Sequence, residues 1–337
     1  MTRTIAYVAC ADSHEIAVLG LDPASGALVP LQRVATGGTV MPLALSRDRR
    51  RLYASIRSAP LAVLSFAIDP ADGTLAPLGT QPLPASMCWI GLDRSGRWLL
   101  SASYGESLVA VSPIDGDGAA GRARQTCGTA PNAHSIQTDP ANRFAFAACL
   151  GGDVIQAFAF DAESGALELL PEPAWRTRAG AGPRHFAFHP TAPFVYLLNE
   201  LDGTVDALEH HADAARFGHV QTIAAIPPGV VGKPWAADIH FSPDGRFLYT
   251  SERRSSTLAA FAVDPKGGWL TLLGRVPTAT EPRGFAIDPS GRWLLAAGQA
   301  SHRLRVHAID AATGALDHHA EHEIGKNPNW VEIVALG

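Results

Sequence analysis

The sequence predicts an all-β fold, a seven-bladed β-propeller of four-stranded blades closed by pairing of its N- and C-terminal strands. Three observations predict it. A strand–turn–strand pattern recurs seven times, most copies continue into a third strand and a D-x-x-x-G hairpin, and the two ends of the chain supply complementary strands of one unit. Four-stranded antiparallel units repeated in this way are typical of propellers.

The recurring pattern is an apolar strand, a polar turn and a second strand rich in Leu, Tyr and Ala. It is plain in "IHFSPDGRFLYTSE", "FAIDPSGRWLLAAG" and "IGLDRSGRWLLSAS". The residue that ends each turn serves as an anchor, and the anchors are Thr4, Arg50, Arg97, Arg143, Pro193, Arg246 and Arg292. Their intervals are 46 to 53 residues, near-equal periods that a pair of β-sandwich domains would not explain.

The third and fourth strands are joined by hairpins such as "DPASGALVPL" and "DAESGALELL", where Asp and Gly supply a tight turn. The N-terminal "TIAYVAC" matches a second strand, and the C-terminal "NPNWVEIVAL" looks like the missing first strand of the same unit. Pairing the two would leave no open edge in the ring. We therefore expect one propeller domain over residues 1–337.

Composition excludes several classes of protein. The chain is 47% hydrophobic, which is ample for a large core, and its net charge of −5 comes without a basic block that would bind nucleic acid. Cys10, Cys88, Cys127 and Cys149 form no C-x-x-C pair, as in proteins of a reducing compartment. Neither a signal peptide nor an apolar run of about 18 residues is evident. We expect a cytoplasmic protein, without membrane partner, that is a monomer or weak dimer.

The repeat also predicts which residues meet at the channel. The first strand of a blade is innermost and the second is antiparallel to it, so the start of the first and the end of the second lie on one face. Nine positions before the anchor stand Met41, Cys88, His134, Arg184, Ala237 and Arg283, with Asn329 from the closing strand. Seven positions after it stand Ala11, Arg57, Tyr104, Leu150, Glu200, Arg253 and Gln299.

These positions predict an asymmetric polar cluster at the channel mouth. Arg184 and Glu200 belong to one blade and should meet there. The cluster consists of His134, Arg184, Glu200, Arg253, Arg283, Gln299 and Asn329, whereas Ala11, Met41, Cys88 and Leu150 make the other side comparatively apolar. Three arginines against one carboxylate leave a positive surplus, and the planar guanidinium suits carboxylate or phosphate. The cluster indicates an anion site, the alternative being a channel filled by ion pairs and water.

Other signals are weaker. His210, His211 and the segment "DHHAEHE" at 317–323 suggest a metal, but they lack zinc-like spacing and are interpreted as solvated outer hairpins. Asp238 begins a first strand and is a further candidate for the site. No G-x-S-x-G and no glycine-rich phosphate loop occur, so we expect neither an organic cofactor nor a metal.

Long stretches resemble the bacterial propeller-type 6-phosphogluconolactonases. They include "GAGPRHFAFHP", "WAADIHFSPDGRFLYTSER", "EPRGFAIDPSGRWLLAAGQASHRLRV" and "PNWV", and the resemblance covers essentially the whole chain. The wider family includes lactonases of aldaric acid lactones and fungal carboxy-cis,cis-muconate lactonising enzymes. The active site of the muconate enzymes implies His134 in "NAHS", Arg184 in "GPRH", Glu200 in "LLNEL" and Arg253 in "SERR".

One departure from the family pattern affects the expected contact with the substrate phosphate, not the contacts with the lactone ring. Gly151 and Gly152 stand in "ACLGGDVI", where the phosphogluconolactonase pattern often has a basic residue after the Leu. With only Lys233, Lys266 and Lys326 as lysines, few other side chains could replace that contact.

The resemblance implies a lactonase acting on a small-molecule anionic sugar lactone, 6-phosphogluconolactone being hydrolysed to 6-phosphogluconate. We expect Glu200 and His134 to act as general base and acid, in an order left open, and Arg184 and Arg253 to hold the oxyanion or the substrate anion. Glu200 among arginines should be ionised, which leaves the acid role to His134. The expected substrate-binding residues are Arg283, Gln299, Asn329, Tyr104 and Asp238.

Two kinds of alternative stay open. The first is another reaction of the same family, namely hydrolysis of aldonic or aldaric lactones, or a muconate-type cycloisomerisation. The second is a non-catalytic propeller that serves as a binding platform. Such a platform predicts aromatic side chains exposed on one face, whereas Trp89, Trp98, Trp293 and Trp330 fall in strand repeats.

Overall fold

A computed structural model describes residues 3–337 and shows seven antiparallel sheets arranged as the blades of a propeller. Each innermost strand contacts the innermost strands of both neighbouring blades, so the ring closes around a central channel. The predicted seven-bladed fold is confirmed, with one small addition, a short fifth strand in the fourth blade. Residues 1–2 of the predicted domain 1–337 lie outside the described residues.

The strands take the same four places in every blade. The innermost strands are β4 (Val40–Leu45), β8 (Met87–Leu92), β12 (Ala133–Thr138), β17 (Pro183–Phe188), β21 (Ala236–Phe241), β25 (Pro282–Ile287) and β29 (Pro328–Leu336). The second strands are β1 (Arg3–Cys10), β5 (Arg51–Ile56), β9 (Trp98–Ser103), β13 (Phe144–Cys149), β18 (Phe194–Asn199), β22 (Phe247–Glu252) and β26 (Trp293–Gly298).

The third strands are β2 (Glu15–Leu21), β6 (Ala62–Ile68), β10 (Leu108–Pro113), β14 (Val154–Phe160), β19 (Thr204–His211), β23 (Thr257–Val263) and β27 (Arg303–Ile309). The outer strands are β3 (Leu28–Ala35), β7 (Leu75–Pro82), β11 (Gln125–Gly128), β15 (Leu167–Leu169), β20 (Arg216–Ala224), β24 (Leu270–Pro277) and β28 (Leu316–Glu323). The added strand β16 (Trp175–Arg176) pairs with β14, and one 3-10 turn spans Leu150–Gly152.

The first blade joins the two ends of the chain. Strand β29 pairs antiparallel with β1, from Arg3 opposite Leu336 to Cys10 opposite Pro328. The predicted closure by terminal strands is therefore confirmed. The C-terminal strand β29 is thus the innermost strand of the first blade. With the ring closed in this way, every blade is covered on both faces by its neighbours.

Burial follows this arrangement. All six residues of β22 and of β26 are buried, because a second strand is covered on both faces by adjacent blades. The outer strand β28 is polar over most of its length and largely exposed. The sequence-based placement of 210–211 and 317–323 in hairpin loops was wrong, since they lie in β19 and β28. An outer strand needs no continuous apolar run, so its sequence resembles that of a loop.

The hairpin glycines connect one blade to the next. Gly314 has φ +73°, and a Cβ there would lie 2.3 Å from the ring of Phe247, which starts β22 in the preceding blade. Gly26 and Gly165 meet Trp293 and Trp98 in the same way. The hydroxyl of Tyr249 donates to the carbonyl oxygen of Gly314 at 3.0 Å. The D-x-x-x-G motif thus forms both a turn and a contact between blades.

Replacing Gly314 by alanine is expected to destabilise the protein by about 2–4 kcal/mol, since strain at positive φ adds to a clash with a buried ring. Gly37 is the control, because its φ is +70° but nothing lies within 4 Å of the added Cβ. Gly37→Ala should cost only the strain, about 1 kcal/mol. Urea unfolding of both variants measures the difference. Equal losses would show that the inter-blade contact adds nothing.

Candidate active site

A β-bulge marks the start of every innermost strand. At the nine-residue spacing from the anchor, the pairing with the second strand shifts register, so the residue there lies in the bulge. The bulge residues include Met41, Cys88, His134, Arg184, Ala237, Arg283 and Asn329. A bulge re-aims a side chain out of the regular alternation. It explains how this ring of residues turns toward the channel mouth.

Arg184 and Glu200 meet at the mouth. Nε of Arg184 lies 2.7 Å from Oε2 of Glu200, with 1% and 13% of the two side chains exposed. Nη1 of Arg184 donates to the carbonyl oxygen of Ala237 in the next blade. Nε and Nη2 of Arg184 are buried and have no hydrogen-bond partner among residues 3–337, so the contact of Nε with Glu200 is an ion pair. The fifth blade thus places a fixed, buried guanidinium at the mouth.

Arg253 approaches the same carboxylate from the sixth blade. Its Nη2 is 3.1 Å from Oε2 of Glu200, and its side chain is 2% exposed. Nε of Arg253 donates to the carbonyl oxygen of Trp235 at 3.2 Å, and the guanidinium carbon lies 3.8 Å from the centroid of the Trp235 ring. One carboxylate oxygen therefore holds two arginines of adjacent blades in position, and a cation–π contact supports the second.

His134 is buried beside this group. Its ring lies edge-on to Tyr104, with 5.8 Å between centroids, and its Nδ1 has no partner within the described part of the chain. Burial and the nearby guanidinium of Arg184 lower the pKa of His134 well below its usual 6.5. The imidazole is thus neutral at pH 7 and can accept a proton. Tyr104, 39% exposed, lies at the rim.

The mouth carries a surplus of positive charge. Burial and the like charges of Arg184 and Arg57 lower the pKa of Arg283 below its usual value, and burial with Arg184 and Arg283 does the same for Arg253. Nε of Arg283 is buried without a partner in residues 3–337. The expected positive surplus is present. An anion at the mouth would offset it.

Sequence reasoning missed Arg57. The spacing placed it at the mouth, but its side of the ring was described as apolar from Ala11, Met41, Cys88 and Leu150, and that description was wrong. Nε of Arg57 donates to Oγ of Ser86 at 3.1 Å, and Nη1 contacts Sδ of Met41. Arg57 stands at the seven-position spacing in the second blade, so the repeat itself indicates an arginine on this side of the mouth.

Gln299 and Asn329 lie at the mouth but also hold the backbone together. Asn329 is fully buried, and its Nδ2 donates to the carbonyl oxygens of Val40 and Asn327. Nε2 of Gln299 donates to Oδ1 of Asn327 at 2.8 Å. The buried Oδ1 of Asn329 has no partner among the residues described.

Asp238 lies one layer beneath the mouth. Its Oδ1 is 2.9 Å from Nδ1 of His185, and its Oδ2 is 3.0 Å from Nε2 of His240. Although burial opposes the charge, His240 and His185 lower the pKa of Asp238 well below its usual range. Nη1 of Arg184 in turn lies 3.2 Å from the ring of His185. The contacts of Asp238 therefore hold His185 and His240 in the layer that contacts Arg184.

The glycines that depart from the family pattern are closely packed. A Cβ at Gly151 would lie 2.2 Å from Oδ1 of Asn132, and one at Gly152 would lie 2.8 Å from Cβ of Ala130. A side chain at Gly151 or Gly152 would require Asn132 or Ala130 to move.

Within residues 3–337, no group of three His, Cys, Asp or Glu side chains is arranged to hold a metal ion. Within the same range, no helix has the length and apolar character needed to span a bilayer.

Comparisons with known proteins agree with this architecture. The family described as lactonase, 7-bladed beta-propeller, matches residues 4–333. A 6-phosphogluconolactonase of Pectobacterium carotovorum is 42% identical over 334 residues, 99% of each chain. One of Serratia proteamaculans is 42% identical over 335 residues, again 99% of each chain. The structure of a periplasmic gluconolactonase from Pseudomonas aeruginosa is 30% identical, with a TM-score of 0.92 over 99% of this chain and 100% of that one. The chain belongs to the family of seven-bladed β-propeller lactonases.

Proposed function

We propose that the protein hydrolyses 6-phosphogluconolactone to 6-phosphogluconate at the channel mouth, with His134, Arg184, Glu200 and Arg253 as the catalytic group. One observation carries the proposal. A single carboxylate oxygen fixes two buried guanidinium groups beside a neutral imidazole, in a chain of the lactonase family. The relatives of 42% identity that are named 6-phosphogluconolactonase support this substrate.

Lactone hydrolysis needs three things from the site. A water must lose a proton as it adds to the carbonyl carbon, the resulting oxyanion must be stabilised, and the ring oxygen must gain a proton as its bond to that carbon breaks. The guanidinium of Arg253 is the donor to the oxyanion, and the buried guanidinium of Arg184 supports it through its charge. They are fixed before substrate arrives, so little reorganisation is needed.

His134 supplies both proton transfers. The neutral imidazole accepts the proton of the attacking water, and the imidazolium then returns it to the ring oxygen, which becomes the hydroxyl of the product. The same guanidinium charges that lower the pKa of His134 make the imidazolium a ready donor. The sequence-based expectation, in which Glu200 and His134 share the base and acid roles in an order left open, is the alternative to this assignment.

Glu200 then has a positioning role at the reacting centre. Its Oε2 is occupied by Arg184 and Arg253. Its Oε1 has no hydrogen-bond partner in residues 3–337 and faces a partly exposed mouth, where it can orient the attacking water. Arg283, Gln299, Asn329 and Tyr104 contact substrate hydroxyls or its anionic group, and Asp238 acts from the layer beneath.

A second candidate, hydrolysis of a non-phosphorylated aldonic lactone, is favoured by one observation. The Gly151–Gly152 segment offers no basic side chain, and the gluconolactonase of Pseudomonas aeruginosa shares the fold. A binding platform is disfavoured, because Trp98, Trp293 and Trp330 are buried and form no exposed aromatic face.

We propose a cytoplasmic location on chemical grounds. All four cysteines are free thiols and three of them are buried, as expected for a protein of a reducing compartment. A phosphorylated sugar lactone is also a substrate of the cell interior, since charged phosphates cross membranes poorly.

The purified protein is expected to accelerate the opening of freshly generated 6-phosphoglucono-δ-lactone well above its spontaneous rate. Product is followed by coupling 6-phosphogluconate to its dehydrogenase, with glucono-δ-lactone and a carboxylated lactone assayed in parallel. The highest kcat/KM should be for the phosphorylated compound. A preference for glucono-δ-lactone would select the second candidate, and failure to open any lactone would refute an enzymatic function.

A further inference from the structure

We propose that Arg57 and Arg283 form an anion subsite that binds the phosphate group of the lactone and selects phosphorylated substrates. The inference rests on the proposed lactonase activity. It concerns which lactone is bound, whereas His134, Arg184, Glu200 and Arg253 concern how the ring is opened.

The charges at the mouth are not balanced. Four arginines converge there, Arg57, Arg184, Arg253 and Arg283, and the first and last act on each other through their charges. Glu200 lies within ion-pair distance of Arg184 and Arg253 only. In the described range of the chain, no carboxylate lies within 4 Å of Arg57 or Arg283. A guanidinium withdrawn from water without a counter-charge is costly, and an anionic ligand removes that cost.

Both guanidinium groups have unused donors. Arg283 forms no side-chain hydrogen bond among residues 3–337, and because its Nε is buried, Nη1 and Nη2 are the donors that a ligand can reach. Arg57 is held by its Nε on Ser86 and by Nη1 against Met41, while its Nη2 has no hydrogen-bond partner in the same range. An arginine anchored at one end of its fork and open at the other is positioned in advance for a ligand.

The two arginines lie on either side of the first blade, and Arg57 is across the ring from the catalytic blades. Arg57 comes from the second blade and Arg283 from the seventh, separated by the first blade alone. The charges of both act on the buried thiol of Cys88, whose pKa burial raises and these guanidinium groups lower. His134, Glu200 and Arg253 lie on blades four, five and six. A lactone that spans the mouth would have its ring carbonyl at the catalytic blades and the opposite end of the molecule at Arg57.

The chemistry of this pair matches a phosphate. A phosphate monoester carries between one and two negative charges at neutral pH and presents three acceptor oxygens, enough for two guanidinium groups at once. In 6-phosphogluconolactone the phosphate is on the carbon most distant from the ring carbonyl. Gly151 and Gly152 supply no basic side chain, so the unpaired guanidinium groups of Arg57 and Arg283 are the candidates for the phosphate contact.

The experiment compares two lactones on one set of variants. Arg57→Met and Arg283→Met remove the charges, Arg57→Lys keeps the charge without the fork, and Arg122→Met is the control. Arg122 is exposed and forms no hydrogen bond or ion pair within residues 3–337. We expect KM for 6-phosphoglucono-δ-lactone to rise about 10- to 100-fold in Arg57→Met, as for loss of one charge-assisted contact. The ratio of kcat/KM between the phosphorylated and the plain lactone should fall by a similar factor, with Arg57→Lys intermediate.

Equal losses on both lactones would overturn the inference and leave the lactonase function standing, as would unchanged kinetics in Arg57→Met. Inorganic phosphate is a second probe that does not depend on turnover. It should bind the wild-type protein in ³¹P NMR titrations and bind Arg57→Lys at least several-fold more weakly. Absence of phosphate binding by the wild-type protein would also overturn the subsite. If the wild-type protein opened neither lactone but bound phosphate through Arg57, the proposed function would fail and the anion subsite would stand.

Discussion

Replacing Arg253 by methionine is expected to reduce kcat/KM by about 2–5 kcal/mol of transition-state free energy, roughly 30- to 5,000-fold. Two effects combine. The oxyanion loses a buried donor, and Glu200 loses one of the two guanidinium groups that fix its Oε2. Removal of one pre-positioned donor to a developing oxyanion has a cost in this range.

The structure also predicts how this variant affects stability. Arg253 packs on Trp235 and donates to two backbone carbonyl oxygens, so methionine keeps the apolar contact with the ring but loses those hydrogen bonds. A modest fall in melting temperature is therefore expected beside the large fall in activity.

Arg254→Met is the matched control. Arg254 is exposed, and its guanidinium lies 6.0 Å from the same Trp235 ring, but it takes no part in the ion pairs with Glu200. Steady-state kinetics and thermal unfolding of both variants separate the two roles. If Arg253→Met kept its activity, or lost it only through unfolding, Arg253 would be a structural residue.

The repeat made the position of the site predictable before its geometry was known. In a propeller every blade sets the same strand against the channel, so a fixed spacing from the turn corresponds to a fixed place in space. That is why Arg184 and Glu200, sixteen residues apart, could be placed in contact from spacing alone. The same logic placed β29 beside β1.

What the sequence did not reveal depends on contacts between strands. A bulge is defined by the pairing of two strands. The segments "NAHS" and "GPRH" therefore do not by themselves predict that His134 and Arg184 lie in bulges. The neutrality of His134 depends on burial by other blades and on the charge of Arg184 from the next blade. Asp238 follows Ala237 in a bulge, which turns its carboxylate toward His185 beneath the mouth.

The positive surplus extends to the side of the mouth formed by Met41 and Cys88. Those two residues alone predict an apolar wall, but the guanidinium of Arg57 lies there as well. The guanidinium of Arg57 is held beside Met41 and influences Cys88, so apolar neighbours strengthen its need for a counter-charge. An apolar wall next to an unpaired arginine favours an anion in the mouth over water alone.

Replacing His134 by glutamine is expected to lower kcat about 10²–10⁴-fold, since the general base and the donor to the ring oxygen are lost together. The pH dependence identifies the residue. A base must be unprotonated, and the pKa of His134 lies well below 6.5, so the rate of the wild-type protein should be level near pH 7 and fall only at lower pH. His134→Gln should lose this acid limb along with most of the rate. The control is His219→Gln, which changes an exposed histidine stacked on Trp175. It should alter neither kcat nor the pH dependence of the rate.

Glu200→Gln distinguishes this mechanism from one in which the carboxylate is the base. If Glu200 were the base, the glutamine variant would lose the acid limb. If His134 is the base, Glu200→Gln should also be slow, because Arg184 and Arg253 lose their shared counter-charge, but its acid limb should persist. That limb should move to lower pH, since removing a negative charge near the arginines makes protonation of His134 harder still. The opposite result would be near-normal turnover by His134→Gln, with the acid limb lost only in Glu200→Gln. In that case Glu200 would be the base, and His134 would only line the mouth.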